Sequence, residues 1–475
     1  MQHALIWFRN DLRIEDNTAL YHALSHHPEK LTAIYYITPL QWRLHQQSGN
    51  KIDFILRGLR ILQKDLEKRG IPLVVETVDH FSDCAKHLEK FCVDQSVQAV
   101  FWNDQFEVNE KERDALIKKT LEKKGIRILH FIDHVIVPPQ EVLTQDQHAF
   151  KMFTPFKNKW IQIIEKGSDY GAVRSAKKIS YPSSSQLTSI PDSLSGFKPT
   201  ADMSLWPAGE KAARTRLDFF IENHIKKYDK NRDFPALDAT SRLSPYLASG
   251  MISPRQCLQA ALQANHHKIH QGNSGIVCWI NELIWREFYQ SILHFFPRVS
   301  RNRPFKLITE KIQWDKDAAL LKKWKEGKTG FPLIDAAMRQ LQKEGWMHNR
   351  LRMVVAMFLT KNAWLDWRLG ESYFMEHLVD GDLAANNGGW QWSASTGTDA
   401  VPYFRVFNPV AQSEKCDSEG VFIRRYCPEL ATLDNKTIHD PSGDAPLLLE
   451  SLDYPRAVLD LKKTRLRAIE AFKSL

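Results

Sequence analysis

Apolar periodicity changes once along this chain, and that change limits its fold more than any other feature. From residue 4 to about 131, the short β-rich runs "ALIWF", "LTAIYYI", "IPLVV", "VQAVFW" and "RILHF" alternate with helical stretches such as "FILRGLRILQKDLEKRG". Such alternation builds a parallel sheet with helices on its faces. Residues 132 to about 205 carry little periodicity and include "YPSSSQLTSIPDSLSGFKP", rich in Ser and Pro, which reads as a connector over the surface. Beyond it the clear periods are helical: "EKAARTRLDFFIENHI", "SPRQCLQAALQA", "GIVCWINELIWREFYQSILHFF", "PLIDAAMRQLQKE" and "RLRMVVAMFLTKNAWLDW". The expected architecture is a Rossmann-like α/β domain over 1–131, a linker over 132–205 and an all-α domain over 206–475. A chain of 475 residues is too long for one core, which agrees with that division.

Composition narrows the function. The excess of 65 Lys+Arg over 56 Asp+Glu permits a polyanionic partner without demanding one. Six scattered cysteines form no Cys-x-x-Cys and no zinc spacing, so no metal site is expected and the thiols read as those of a reducing compartment. The start "MQHALIWFRNDLR" is no signal peptide and no apolar stretch reaches membrane-spanning length, so a cytoplasmic protein without membrane contact is expected. After the first strand comes "RNDLRIEDN" in place of a glycine fingerprint, so the α/β half is not assigned a dinucleotide by fold analogy.

Four segments carry chemistry. In "DATSRLSPYLASG", Thr240, Ser241 and Ser244 put hydroxyls at a helix start beside Arg242, a cradle for phosphate and equally an ordinary N-cap. In "CWINELIWREFYQ", Cys278, Glu282, Trp285 and Tyr289 share a helix face with Arg286 one step round. A carboxylate beside an indole suits a planar heterocycle, and an aromatic core helix with a surface Glu has the same pattern. In "GWMHNRLRMVVAMFLTK", Asn349 and Met353 share a face bracketed by Arg350 and Arg352, again compatible with a buried helix whose first turn is charged. "DGDLAANNGGWQWSASTGTDA" is the least explicable as scaffolding: two tryptophans one residue apart beside a glycine pair argue against both a surface loop and a core helix. In extended backbone Trp390 and Trp392 face opposite sides, and Gly388 and Gly389 let the backbone approach a flat ring.

Together "TSRLS", "WINELIWREFY", "GWMHNRLRM" and "DGDLAANNGGWQW", with "IWFRNDLRIEDN" and "KTGFPLIDAAMRQL", resemble the photolyase/cryptochrome family, most closely the bacterial class I members that act on cyclobutane pyrimidine dimers. The resemblance implies FAD, active when reduced, in the helical domain. It places Tyr228, Thr240, Ser241, Arg242, Leu243 and Ser244 at the phosphates, Trp279 at the border, Asp380, Gly381 and Asp382 near adenine, ribose and the flavin edge, Arg352 paired with Asp380, and Asn386 at the reactive ring nitrogen. It makes Trp390, Trp367 and Trp314 an electron relay, a role for which plain core packing is the alternative at Trp367. It implies ultraviolet-damaged DNA as partner, the dimer being flipped out against Trp285 and Trp392 and touched by Glu282, Asn349 and Met353, with Arg232, Arg286 and Arg350 near the strand. Light-driven electron transfer from reduced FAD to that dimer is the implied repair. His45, Asn109 and Glu110 match a folate antenna site for 5,10-methenyltetrahydrofolate, although Ser300 and Arg301 depart from the family's cysteine and lysine.

Two other readings use the same residues. Sister enzymes for (6-4) lesions carry histidines where this chain has Asn349 and Met353, so the acid catalysis they need lacks its donor here. A blue-light photoreceptor of the cryptochrome type shares fold and flavin, but often appends a low-complexity tail where this chain ends on the helical "LDLKKTRLRAIEAFKSL". A helical nucleic-acid-binding module without redox chemistry leaves the 386–392 residues without purpose. A monomeric repair enzyme is the expectation.

Overall fold

The computed structural model describes residues 1–167, 169–174, 181, 188–447 and 449–475. Its sheet is parallel with strand order β3-β2-β1-β4-β5, where β1 is His3–Trp7, β2 Lys30–Ile37, β3 Leu73–Thr77, β4 Ala99–Asn103 and β5 Arg127–Phe131. Each strand falls on one of the five apolar runs. β1 and β4 are buried on both faces, which is why they read as unbroken apolar runs without alternation. Order reverses between β2–β1 and β4, and a crevice opens outside the carboxyl ends of the strands at such a switch point.

Helices account for the chain beyond the sheet, as the change of period predicts. Those that position the site are α1 (Gly49–Glu67), α2 (Phe153–Glu165), α3 (Ser274–Phe295), α4 (Asn349–Met357), α5 (Trp367–His377) and α6 (Leu383–Ser393). Two expectations need correction here. The stretch 132–205 is not all connector, because α2 lies in it and buries Phe153, Phe156 and Trp160, an i, i+3, i+7 stripe. Within the Ser/Pro-rich stretch, 182–187 lie outside the described residues. The 383–393 segment, whose glycine pair argued against a core helix, is helical. Gly388 is required there, since a Cβ on it would enter the ring of Tyr289 on α3, so the cost of glycine is offset by close helix contact.

The two parts are joined by a buried ionic cluster. Arg255 reaches Asp16 at 2.8 Å and Asp133 at 2.6 Å, and Arg13 also binds Asp133; all four side chains are at most 2% exposed. From the sheet side, the start of α1 holds the loop before α6: Ser48 donates to the Leu378 carbonyl and Lys51 to the Gly381 carbonyl, both at 2.6 Å. Among the described residues no helix is long and apolar enough to cross a membrane, and no group of His, Cys, Asp and Glu could hold a metal ion. All six cysteines are free thiols, and Cys278 alone among them is not buried.

Candidate functional site

The 240–244, 346–352 and 380–386 segments converge. Arg352 on α4 donates to Asp380 Oδ2 at 2.8 Å and to the Met347 carbonyl at 2.8 Å, so one guanidinium spans two of them. Trp346 Nε1 donates to Ser244 Oγ at 3.3 Å, and the Arg242 guanidinium lies 4.9 Å over the Trp346 ring. Arg242 adopts a left-handed backbone, φ 49°, that turns the chain sharply at this point. The helix that follows is only Ser244–Ala248, and Leu243 at its cap position makes no side-chain cap bond. The hydroxyls of Thr240, Ser241 and Ser244 therefore do not act as its N-cap, contrary to one sequence reading. Tyr228 and Trp279 are buried on one side, where both rings pack on Phe220.

The polar groups of this cradle fit a flavin dinucleotide. Asp380 Oδ1 and His348 Nε2 are buried without hydrogen-bond partners, which is costly unless a further molecule supplies them. Burial pushes the His348 imidazole down to about 4, so its free nitrogen is neutral at physiological pH. Asp382 caps α6 through Ala385 N at 2.8 Å and accepts from Gln290 at 3.3 Å. One turn on, Asn386 Nδ2 donates to the Glu371 carbonyl and Asn387 Nδ2 to the Glu371 carboxylate, at 3.0 and 2.9 Å. Burial pushes that carboxyl up to about 7, with the Asn387 bond opposing.

A second cluster faces outward from α3 and α4. Arg232 donates to Glu282, and also lies 3.2 Å from Cys278 Sγ. Burial pushes the Glu282 carboxyl up and Arg232 opposes it. Arg350 pairs with Asp233 at 2.8 Å, and the same Asp233 is 4.0 Å from Arg232. Asn349 is exposed and Met353, one turn on, half-buried. Trp285 is half-buried and stacked on Phe153, with centroids 3.7 Å apart and planes 7° apart. Trp392 is half-buried too, while Trp390 two residues earlier is 2% exposed. A helical step of two places those indoles on different sides, as the extended reading also required. Arg286 departs from this group: it donates to the His134 carbonyl at 2.5 Å, at the junction with the α/β part.

Trp390 packs on Gly370 of α5 and lies edge-on to Phe374 and Trp324, at 5.1 and 6.0 Å. Trp367, at the start of α5, is 1% exposed under the Arg368 guanidinium. Trp314 is half-buried and 5.0 Å from Trp364. Exposure thus rises from Trp390 and Trp367 to Trp314.

Between the two parts lies a cavity of about 360 Å³, within the usual range of small-molecule sites. His45, Lys51, Glu107, Asn109, Glu110 and Asp382 line it, with Ser300 and Arg301 on the opposite wall. His45 Nε2 lies 2.8 Å from Asn109 Nδ2 and 2.9 Å from Gln41 Nε2, and burial pushes the imidazole down, which favours the neutral ring. Glu110 Oε2 is buried without a partner, a free acceptor for an amino group. Burial pushes Glu107 up to about 7 and Glu110 in the same direction, each worsened by the neighbouring carboxylate charges. Arg301 pairs outward with Glu112 at 3.1 Å, and Ser300 Oγ accepts from Val108 N at 3.2 Å.

Sequence reasoning missed Phe153, Lys51, Gln290, Asp233 and Glu371. Phe153 had a signal in its stripe, whereas the others are joined to the site only by tertiary contact.

The sequence matches the family described as DNA photolyase over residues 4–173 and that described as FAD binding domain of DNA photolyase over 279–474. It is 44% identical to the deoxyribodipyrimidine photo-lyase of Escherichia coli K12, across 99% of this chain and 98% of that one. Among solved structures, a class III photolyase from Agrobacterium tumefaciens superposes with TM-score 0.87 at 32% identity, covering 100% of this chain and 98% of that one. A cryptochrome from Synechocystis superposes with TM-score 0.88 at 27% identity, covering 99% of each.

Proposed function

The chain belongs to the DNA photolyase family, and from that premise we propose that it uses light to repair pyrimidine dimers in ultraviolet-damaged DNA, as a cytoplasmic monomer. The fold is shared with a cryptochrome and so does not separate repair from signalling. The observation that carries repair is the outward cluster of Glu282, Trp285, Asn349, Met353 and Trp392 beside the flavin cradle, in a chain 44% identical to a photo-lyase. Residues 1–131 read as the antenna-binding part, 132–205 as the connection and 206–475 as the FAD-binding part.

Reduced FAD, when bound, supplies light absorption and the donated electron. Tyr228, Thr240 to Ser244, Trp279, Arg352, Asp380 to Asp382 and Asn386 hold it. Arg352 neutralises one Asp380 oxygen and leaves the other to accept from the cofactor. Asn386 offers an uncharged amide fixed by the Glu371 carbonyl, so no full charge stands at that place. Trp285 and Trp392 give flat apolar surface to a dimer that has left the duplex, a step made cheaper by its poor stacking. Glu282 accepts from the dimer's polar edge, and Arg232 favours its ionised form against the upward push of burial. Arg350 and Arg232 meet the strand; Arg286, turned to His134, instead joins the two parts of the chain. Trp390, Trp367 and Trp314 would form a row of oxidisable indoles through which an external electron donor at the surface could reach the bound cofactor. His45, Asn109 and Glu110 bind the pterin edge of a folate in the cavity between the parts.

The test is direct. The purified protein is examined for flavin absorbance, then incubated with ultraviolet-irradiated DNA in blue light and in darkness. Loss of dimers in light alone supports the proposal; a flavin-bearing protein that leaves dimers intact in light points to signalling.

A further inference from the structure

We propose that Phe153 is the positioning residue for Trp285, and that residues 151–153 tie the two indole walls of the lesion cavity together. This rests on the reading that Trp285 packs on the dimer. The Phe153 and Trp285 rings are nearly coplanar in orientation, 7° apart, at a centroid distance of 3.7 Å. Phe153 is 7% exposed and belongs to the core, where it also packs edge-on to Phe288 at 6.0 Å. Trp285 is only half-buried. Phe153, itself buried, therefore covers one face of an indole that stays partly exposed.

The same residue is tied to the other wall. Phe153 N donates to Asp399 Oδ2 at 3.0 Å, and Thr398 Oγ1 donates to the Lys151 carbonyl at 2.7 Å. Thr398 and Asp399 stand in the turn that leaves α6, and Val401 N in that turn donates to the Trp392 carbonyl at 3.3 Å. One short segment at the start of α2 thus backs Trp285 and anchors the turn behind Trp392. An indole held from below has already lost the rotamer freedom that binding would otherwise remove, and a fixed pair of walls favours a flat, flipped dimer over ordinary DNA. Phe153 itself touches no lesion, and it lies outside both the flavin cradle and the phosphate-facing arginines.

The experiment measures affinity for dimer-containing and intact DNA, flavin content, and repair per photon at saturating DNA. Five variants of the full flavoprotein are compared: Phe153→Leu, Phe153→Tyr, Asp399→Ala, Trp285→Ala and the double variant Phe153→Leu with Trp285→Ala. An aromatic stack contributes enough that Phe153→Leu is expected to weaken dimer binding about fivefold. Intact-DNA affinity, flavin content and saturated repair yield are expected to stay unchanged, and Phe153→Tyr, which keeps the ring, to restore most of the loss. In the Trp285→Ala background, Phe153→Leu is expected to have no further effect. Equal loss on both DNAs, or independent effects of the two substitutions, would overturn the proposal. If Phe153→Leu does not fold, Asp399→Ala, which removes the acceptor of the Phe153 N–H, decides: a dimer-selective loss supports the coupling and unchanged selectivity refutes it. Should Trp285→Ala leave dimer affinity intact, the reading of Trp285 fails first and the proposal with it.

Discussion

Arg352 and Asp380 meet with Nη2 and Oδ2 2.8 Å apart, joining α4 to the loop that leads into α6. The aspartate side chain is 2% exposed and the arginine 24%, so the pair closes the inner side of the cradle. Removing one partner of such a pair leaves a charge without compensation, which costs about 3 kcal/mol. Arg352→Ala is expected to lower thermal stability and the ratio of flavin to protein together; Arg352→Lys, which keeps charge but loses the forked geometry, should fall between. Flavin absorbance and thermal unfolding check both, and a variant that retains full flavin would remove Arg352 from the cradle.

Arg232 acts on Glu282 as well as on the strand. Burial pushes the Glu282 carboxyl up and Arg232 opposes that, so the ionised, accepting form is lost as pH falls. With Arg232→Ala the opposition is gone, and the acidic loss of dimer affinity is expected to begin at a higher pH than in the parent. The same variant should reduce the slope of log affinity against log salt by about one, as for any lost phosphate contact. Binding titrations across pH and salt test the two effects separately, and an unmoved pH midpoint would show that Glu282 does not bind in its ionised form.

Much of this was legible in the residues because burial dictated them. The five strands coincide with apolar runs, most completely in the central β2, β1 and β4, which are covered on both faces, and less so in the edge strands β3 and β5. The face of Glu282, Trp285 and Tyr289 follows from helical spacing on α3. What failed was decided by tertiary contact. Gly388 and Gly389 argued against a helix on propensity alone, yet at Gly388 the ring of Tyr289 fills the place of the absent Cβ. Arg286 sits one step from Trp285 in sequence, and that step of about a hundred degrees turns it to His134 instead of outward. The hydroxyls of 240–244 have the composition of a cap, but the backbone turns at Arg242 and they serve no helix.

The tryptophan row makes a separable prediction. Trp314 is the half-buried member, beyond the buried Trp390 and Trp367. Trp314→Phe is expected to abolish photoreduction of oxidised enzyme by an external donor while leaving dimer repair by chemically reduced enzyme unchanged. Absorbance of the flavin during illumination measures the first and dimer loss the second; normal photoreduction would exclude Trp314 from the row.

The ionic cluster between the two parts makes stability depend on acid in a defined direction. Burial pushes the Asp133 carboxyl up, but Arg13, Arg255 and the Thr18 hydroxyl outweigh it and hold the group below the usual carboxylate range. A depressed folded value means that the stabilisation is complete above the unfolded value, about 3.9, and is lost as pH falls below it. Arg255→Met removes the cation that binds both Asp133 and Asp16 while keeping much of its volume. Asp133 then keeps Arg13, whereas Asp16 loses its ion pair with Arg255 and stays buried. The variant is expected to lose about 3 kcal/mol at neutral pH, as broken buried pairs do. The folded Asp133 value rises towards the ordinary one, so part of the acid dependence disappears and the gap between parent and variant narrows as pH drops towards 3. Thermal unfolding followed from pH 7 to pH 3 measures that gap, and a difference that stays constant across the range would mean that Arg255 contributes by packing and not by charge.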